Sequence, residues 1–227
     1  MPPIVTFIGR HNSGKTTLAT QVVRHLKDRG YRIAVIKSTK ETGLNLDQPG
    51  TDTWKFGQAG ADAVTLVAPD QMVMQTMSPG KRLTTLAHRY FSDVDLVIGE
   101  GFKEAKKVAK IEVDRGNTEE GLLRDTVNGV VAIVTNRRVV GDYIFRLGAS
   151  REVADFIEKR FLGDNIFPKE QAVLLVNGNK VVMKESDQET LANTVSGFVN
   201  RLTTTQDARD IELQIRIPLS NKQAEKK

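Results

Sequence analysis

Gly9-Arg10-His11-Asn12-Ser13-Gly14-Lys15-Thr16 runs as a glycine, four residues and then Gly-Lys-Thr, the Walker A spacing of a phosphate-binding loop. Its flanks are the ones such a loop requires. Residues 4–8, Ile-Val-Thr-Phe-Ile, are an apolar strand-sized run. Residues 14–29 place Leu18, Val22 and Leu26 on one helical face with Val23 beside them, and Gly30 stands where a helix C-cap belongs. Strand, glycine-rich turn and helix in this order separate a phosphate loop from a chance match. The glycines let the backbone curl so that the N–H groups of residues 12–15 face phosphate oxygens, and the helix start adds the positive end of its dipole. Lys15 then reaches the β- and γ-phosphates, and the Thr16 hydroxyl can ligate Mg²⁺.

Past this helix, short apolar runs keep alternating with segments of helical period. The pattern predicts an α/β fold, a three-layer P-loop NTPase with a mostly parallel sheet. Further strands are expected at residues 32–37, 96–99, 111–113 and 130–135. A polar stretch, 38–50, has no period and contains Gly43, Pro49 and Gly50; it reads as a mobile loop. A short helix should begin near Thr51 or Asp52 and stop at Gly60. Residues 63–67 and 72–76, joined by Ala68-Pro69-Asp70, read as a β-hairpin insertion that either caps the sheet or pairs across a dimer axis. Leu83, Leu86, Ala87 and Tyr90 share a helical face. Ser150 is expected to cap a helix that turns Val153, Phe156, Ile157 and Phe161 inward.

These elements make up a nucleotide-binding domain of residues 1–164. Residues 165–227 read as a small α+β extension of ββαβ order. Strands at 172–176 and 180–183 flank Asn177-Gly178-Asn179, a strong hairpin signal. A helix with Leu191, Val195, Phe198, Val199 and Leu202 follows, then a strand at 211–217 and a polar tail from 221.

Composition narrows the chemistry. The chain has 227 residues, 39% apolar and 27% charged, as in ordinary globular proteins. Its longest apolar runs, 130–134 and 172–176, fall well short of the roughly 18 residues of a membrane span, so no membrane association is expected. With no cysteine there are no disulfides, zinc-thiolate sites, iron–sulfur ligands or cysteine nucleophiles. The net charge of +5, 33 basic against 28 acidic residues, suits phosphate-bearing ligands; no basic run interleaved with aromatics marks a nucleic-acid surface. Met1-Pro2-Pro3 carries no basic leader before the first strand, so a cytoplasmic protein is expected.

Mg²⁺ keeps several waters and needs a carboxylate near its outer shell. Glu100 is the best candidate, because it ends the strand after Asp95 on the side where open α/β sheets bind ligands. Asp95, about 16 Å away at strand rise, is a solvated strand-entry residue. Asp47, in the 38–50 loop, either touches the metal or its water when that loop orders, or forms a turn. Lys103, Lys106, Lys107 and Lys110 follow Glu100 closely; they read as a locally basic pocket for a phosphate-bearing ligand or as a solubilising loop. Lys37 and Lys40 add positive charge at the end of the second strand. The base-reading string Asn-Lys-x-Asp is absent: after residues 130–135 come Asn136-Arg137-Arg138-Val139, so Asn136 is a base reader or a turn-former. His11 faces phosphate or solvent, and His25 and His88 read as surface residues of helices.

The Walker A string, Lys37-Ser38-Thr39-Lys40, the run Asp47-Gln48-Pro49-Gly50-Thr51-Asp52-Thr53 with Ala59-Gly60-Ala61, and Gly99-Glu100-Gly101-Phe102-Lys103 with Lys110-Ile111-Glu112-Val113 together resemble the molybdopterin-guanine dinucleotide biosynthesis protein B family. The resemblance covers residues 4–164. It implies a Mg²⁺-dependent GTP-binding protein, a weak GTPase and a homodimer, working beside the guanylyltransferase that joins molybdopterin to a guanine nucleotide. It also implies residues 9–17, through Thr17, as the phosphate loop, Thr16, Glu100 and Asp47 as the metal environment, and Lys103 in the adjoining pocket. Ser38 and Lys40 stand where the family often has histidines. Two other classes share the loop: a small-molecule kinase or ligase passing the γ-phosphate to an acceptor near Glu100 and Lys103, and a non-hydrolysing nucleotide-binding scaffold. Lys15→Ala is expected to abolish nucleotide affinity; calorimetry showing unchanged GTP binding would sink the phosphate-loop reading.

Overall fold

The computed structural model describes residues 2–44, 47–76, 82–116, 120–163, 172–176, 179–202 and the single positions 211, 213 and 215. In chain order the elements are β1 (Ile4–Ile8), α1 (Lys15–Asp28), β2 (Ile33–Lys37), α2 (Asp52–Gln58), β3 (Ala63–Val67), β4 (Met72–Thr76), α3 (Leu83–Tyr90), β5 (Leu96–Glu100), β6 (Ala109–Asp114), β7 (Val130–Thr135), β8 (Ile144–Phe145) and α4 (Ser150–Ile157). Beyond them lie β9 (Leu174–Val176), β10 (Asn179–Val181) and α5 (Glu185–Val199). The chain divides into two compact units, Met1–Lys169 with Asn177–Lys180 and Glu170–Val176 with Val181–Lys227.

In the first unit six strands form one sheet in the order β2-β5-β1-β6-β7-β8, and every neighbouring pair is parallel. Apolar runs such as Ile-Val-Thr-Phe-Ile form its interior strands because both faces are covered and no polar alternation is needed. Alternate residues go to opposite faces. Val5, Phe7, Leu96 and Ile98 pack with Leu18, Val22 and Leu26 of α1 and Val153, Ala154 and Ile157 of α4. Val97 and Ala34 pack with Ala87 of α3 on the other face. Helix on sheet on helix is the three-layer α/β architecture expected of a P-loop NTPase. Arg29, at the end of α1, fastens the first of these layers through ion pairs with Asp155 and Glu158.

Some local readings change. Ser150 does not cap α4; it is the helix's first residue, Ala149 precedes it, and its hydroxyl lies 3.1 Å from His25 Nε2. His25 is therefore half-buried at a helix–helix contact rather than a surface residue. The hairpin β3–β4 forms a two-stranded antiparallel sheet of its own and caps nothing in the six-stranded sheet. It leaves Leu66, Val67, Met72 and Val73 more than half exposed. Strand β8, two residues long, gave no periodic signal. In the extension, β9, β10 and α5 lie where strands and a helix are expected; Gly178 and most of 211–217 are outside the described residues, and Ile211, Leu213 and Ile215 are in no strand.

The close fit of β5 rests on Gly99. A Cβ there would stand 2.8 Å from Thr6 Oγ1, 3.0 Å from Thr6 Cβ and 3.1 Å from Leu83 Cδ2. Gly99→Ala overpacks the β1–β5–α3 contact and is expected to cost about 1–3 kcal/mol in a denaturant titration; an unchanged midpoint would show that Thr6 and Leu83 can move aside.

Candidate phosphate site

Because the six strands are parallel, β1, β2, β5, β6 and β7 all end on the same edge, and the loops that follow them converge there. The loop after β1 is shaped by backbone that side chains resist. A Cβ at Gly9 would sit 2.3 Å from Val113 O and 2.5 Å from Ser13 Oγ. Asn12 and Gly14 have φ of 57° and 91°, so left-handed residues stand on both sides of Ser13 and curl the backbone. Ser13 is buried, while His11, Asn12, Thr16 and Thr17 are exposed. Lys15 Nζ donates to Arg10 O at 2.6 Å and to Ser13 Oγ at 3.4 Å, which holds the ammonium within the loop.

Glu100 comes to this loop along β5. Its Oε1 accepts the Thr16 hydroxyl at 2.7 Å and Lys37 Nζ at 2.7 Å. Lys37 arrives because β2 and β5 pair in parallel with Lys37 opposite Glu100. The backbone is tied as well: Ser38 N donates to Glu100 O, and Thr6 Oγ1 donates to Gly101 O at 2.8 Å. Burial pushes the Glu100 carboxyl up, but hydrogen bonds from Lys37 and Thr16 and the charges of Lys37 and Lys15 outweigh it and hold it below its ordinary value. Burial pushes the Lys15 ammonium down; Glu100 opposes this and Lys37 adds to it.

Thr16 and Glu100 thus present two hard oxygens together at the mouth of the loop, a donor set suited to Mg²⁺, which takes few protein ligands and completes its shell with water and phosphate. Among the described residues no group of three or more His, Cys, Asp or Glu could form an all-protein cage.

The remaining sequence candidates are placed differently. Asp47 is engaged in its own turn, where Oδ1 accepts from Gln48 N at 2.8 Å and Thr51 Oγ1 at 2.9 Å ahead of α2. Asn136 Oδ1 accepts from Leu147 N at 3.2 Å, and Asn136 O accepts from Arg146, so this asparagine fastens the turn after β7. Lys40, Lys103, Lys106 and Lys107 are exposed. Lys110 is not part of a wet loop: it is buried on β6, and its Nζ donates to the carbonyls of Ala105, Val108 and Asn128. Asp95 accepts Arg32 N at 2.7 Å, at the entry of the strand as expected. Sequence reasoning missed that Lys37 belongs to Glu100, because the pair exists only through the neighbouring of β2 and β5, which no local pattern shows.

The family model for molybdopterin guanine dinucleotide synthesis protein B matches residues 4–136, the segment that builds this site. The chain belongs to that family. It is 30% identical over 159 residues to the molybdopterin-guanine dinucleotide biosynthesis adapter protein of Haemophilus influenzae, covering 69% of this chain and 88% of the relative. It is 32% identical over 143 residues to the Escherichia coli adapter protein, covering 60% and 79%. A crystal structure of molybdopterin-guanine biosynthesis protein B superposes with a TM-score of 0.56 at 32% identity, over 69% of this chain and 98% of the other. No helix among the described residues is long and apolar enough to cross a membrane.

Lys37→Met releases Glu100 toward its ordinary value. A lowered carboxylate pKa adds stability above the unfolded-state pKa, and that stability disappears as pH falls through the folded value. Lys37 is 59% exposed, so the pair contributes no more than about 1 kcal/mol. Thermal melts should place wild type above Lys37→Met near neutral pH, with the gap closing as the carboxylates are protonated; a gap independent of pH would remove the ion pair as its cause.

Proposed function

We propose that this protein is a Mg²⁺-dependent GTP-binding protein with weak GTPase activity that assists attachment of a guanine nucleotide to molybdopterin. The observation that carries the reading is the hydrogen bond from Thr16 Oγ1 to Glu100 Oε1 at the mouth of the loop. It sets the Walker A hydroxyl beside a strand-end carboxylate, the arrangement a nucleotide-bound magnesium ion needs. Thr16 and Glu100 would hold the ion, which when bound would supply positive charge to the phosphate oxygens. Lys15 would neutralise the same oxygens, and the loop N–H groups would orient them.

Hydrolysis is slow in this reading because Glu100 is held by Thr16 and Lys37 and is not free to activate water. The preference for guanine comes from the family and from the relatives' names, since Asn136 is fastened to Leu147 N. Those names, biosynthesis adapter protein, support a role beside the guanylyltransferase, with a molybdopterin-type ligand, in the cytoplasm. Lys40, Lys103, Lys106 and Lys107 are the exposed cations available to that ligand or partner. The exposed apolar residues of β3–β4 are the surface for a homodimer.

Calorimetry of GTP and ATP, with and without Mg²⁺ and molybdopterin, tests base, metal and ligand together; GTP should bind more tightly, and only with Mg²⁺ at full affinity. Glu100→Gln should weaken that Mg²⁺ dependence roughly 10–100-fold. Equal binding of both nucleotides defeats the guanine assignment. A phosphorylated acceptor formed far faster than basal hydrolysis would make the protein a kinase.

A further inference from the structure

Thr16, Lys37 and Glu100 meet on the flank of β1 that faces β5 and β2. Strand β6 borders β1 on the other edge, and Arg115 follows immediately after that strand ends at Asp114. Its guanidinium lies against Gly14 of the loop: a Cβ built there would come 3.3 Å from Nε and 3.4 Å from Nη2. Two other arginines at this end of the sheet are already neutralised. Arg10 pairs with Glu120 and donates to Gly121 O at 3.0 Å. Arg137 pairs with Asp114 at 2.9 Å and donates to Glu120 O at 3.3 Å. Among the described residues Arg115 has no carboxylate partner, and it is exposed.

We infer that Arg115 is a phosphate-binding residue, contacting the phosphates that GDP and GTP share rather than the terminal phosphate of GTP. The inference rests on the nucleotide reading above. A guanidinium fork matches two phosphate oxygens and stays charged at every working pH. The position of that fork selects the phosphates. Lys15 and the Thr16–Glu100 pair would serve the terminal phosphates, since the Walker A lysine reaches that end and the pair would hold the magnesium ion there. Arg115 stands on the opposite flank, after β6 and away from the Thr16–Glu100 pair, so the phosphates left to it are those nearer the nucleoside. An arginine there neutralises charge present before and after hydrolysis, so it governs how tightly nucleotide is held rather than how fast it is cleaved.

Calorimetry of the full chain with GTP, GDP and GMP in Mg²⁺, for wild type, Arg115→Ala and Arg115→Lys, tests this. Arg115→Ala should weaken GTP and GDP by the same factor, roughly 10–100-fold. Arg115→Lys should recover part of the loss, and melting temperatures should stay unchanged because Arg115 has no carboxylate partner among the described residues. Wild-type affinity for GTP and GDP retained in Arg115→Ala overturns the assignment of Arg115 alone. A loss confined to GTP overturns the choice of phosphates. A wild-type protein that binds neither nucleotide overturns the nucleotide reading itself.

Discussion

Strand β1 is buried on both faces and hydrogen-bonded on both edges, to β5 and to β6, so the chain leaving Ile8 has almost no freedom of direction. Gly9 fixes what remains. Its Cα hydrogen faces Val113 O on β6 and Ser13 Oγ within the loop, at distances no Cβ could share. The loop is therefore pressed against β6 at its start and delivered to α1 at its end, where Leu18, Val22 and Leu26 anchor the helix to the sheet. The curled geometry of this loop follows from core packing: the backbone cannot relax out of it without unpacking a strand that is almost wholly buried.

The same close packing positions Glu100. Gly99 lets β5 approach Thr6, and Thr6 in turn holds Gly101 O, so the strand end is fixed on both sides of the carboxylate. Only then do the Thr16 hydroxyl and Lys37 ammonium reach one oxygen. Buried carboxylates are costly unless paired, and here the pairing is strong enough to reverse the effect of burial on protonation. Glu112 shows the opposite balance. Burial pushes it up, the carboxylates of Asp114 and Asp125 add to this, and the N–H groups of Leu123 and Arg124 only partly offset them. One acid is arranged as an anion facing the loop; the other closes a turn.

Much of this was legible because parallel strands covered on both faces need unbroken apolar runs, and those runs placed β1, β2, β5 and β7. The glycine-rich turn and the strand-end place of Glu100 followed from position: one between strand and helix, the other at the end of β5. What escaped depended on register or on a single competing bond. Lys37 and Glu100 are 63 positions apart, and nothing local says that their strands are neighbours. Ser150 has the right side chain for a cap, but its hydroxyl meets His25 of α1 instead. Lys110 sits in a lysine-rich string that reads as solvated, yet β6 starts one residue earlier and carries it inside.

Lys110 also changes the meaning of the charge balance. Its ammonium, lowered by burial with Glu104 opposing, uses its donors on three carbonyls of its own fold and has none left for a ligand. Arg10, Arg29 and Arg137 are likewise neutralised by carboxylates in the folded chain. A net charge of +5 summed over the sequence counts these groups equally, although a cation paired with a carboxylate in the fold adds far less to the field that an approaching anion meets than one that is not. The positive character of the site therefore comes from few residues, placed by strand ends, and its strength depends on which arginines the fold has already paired.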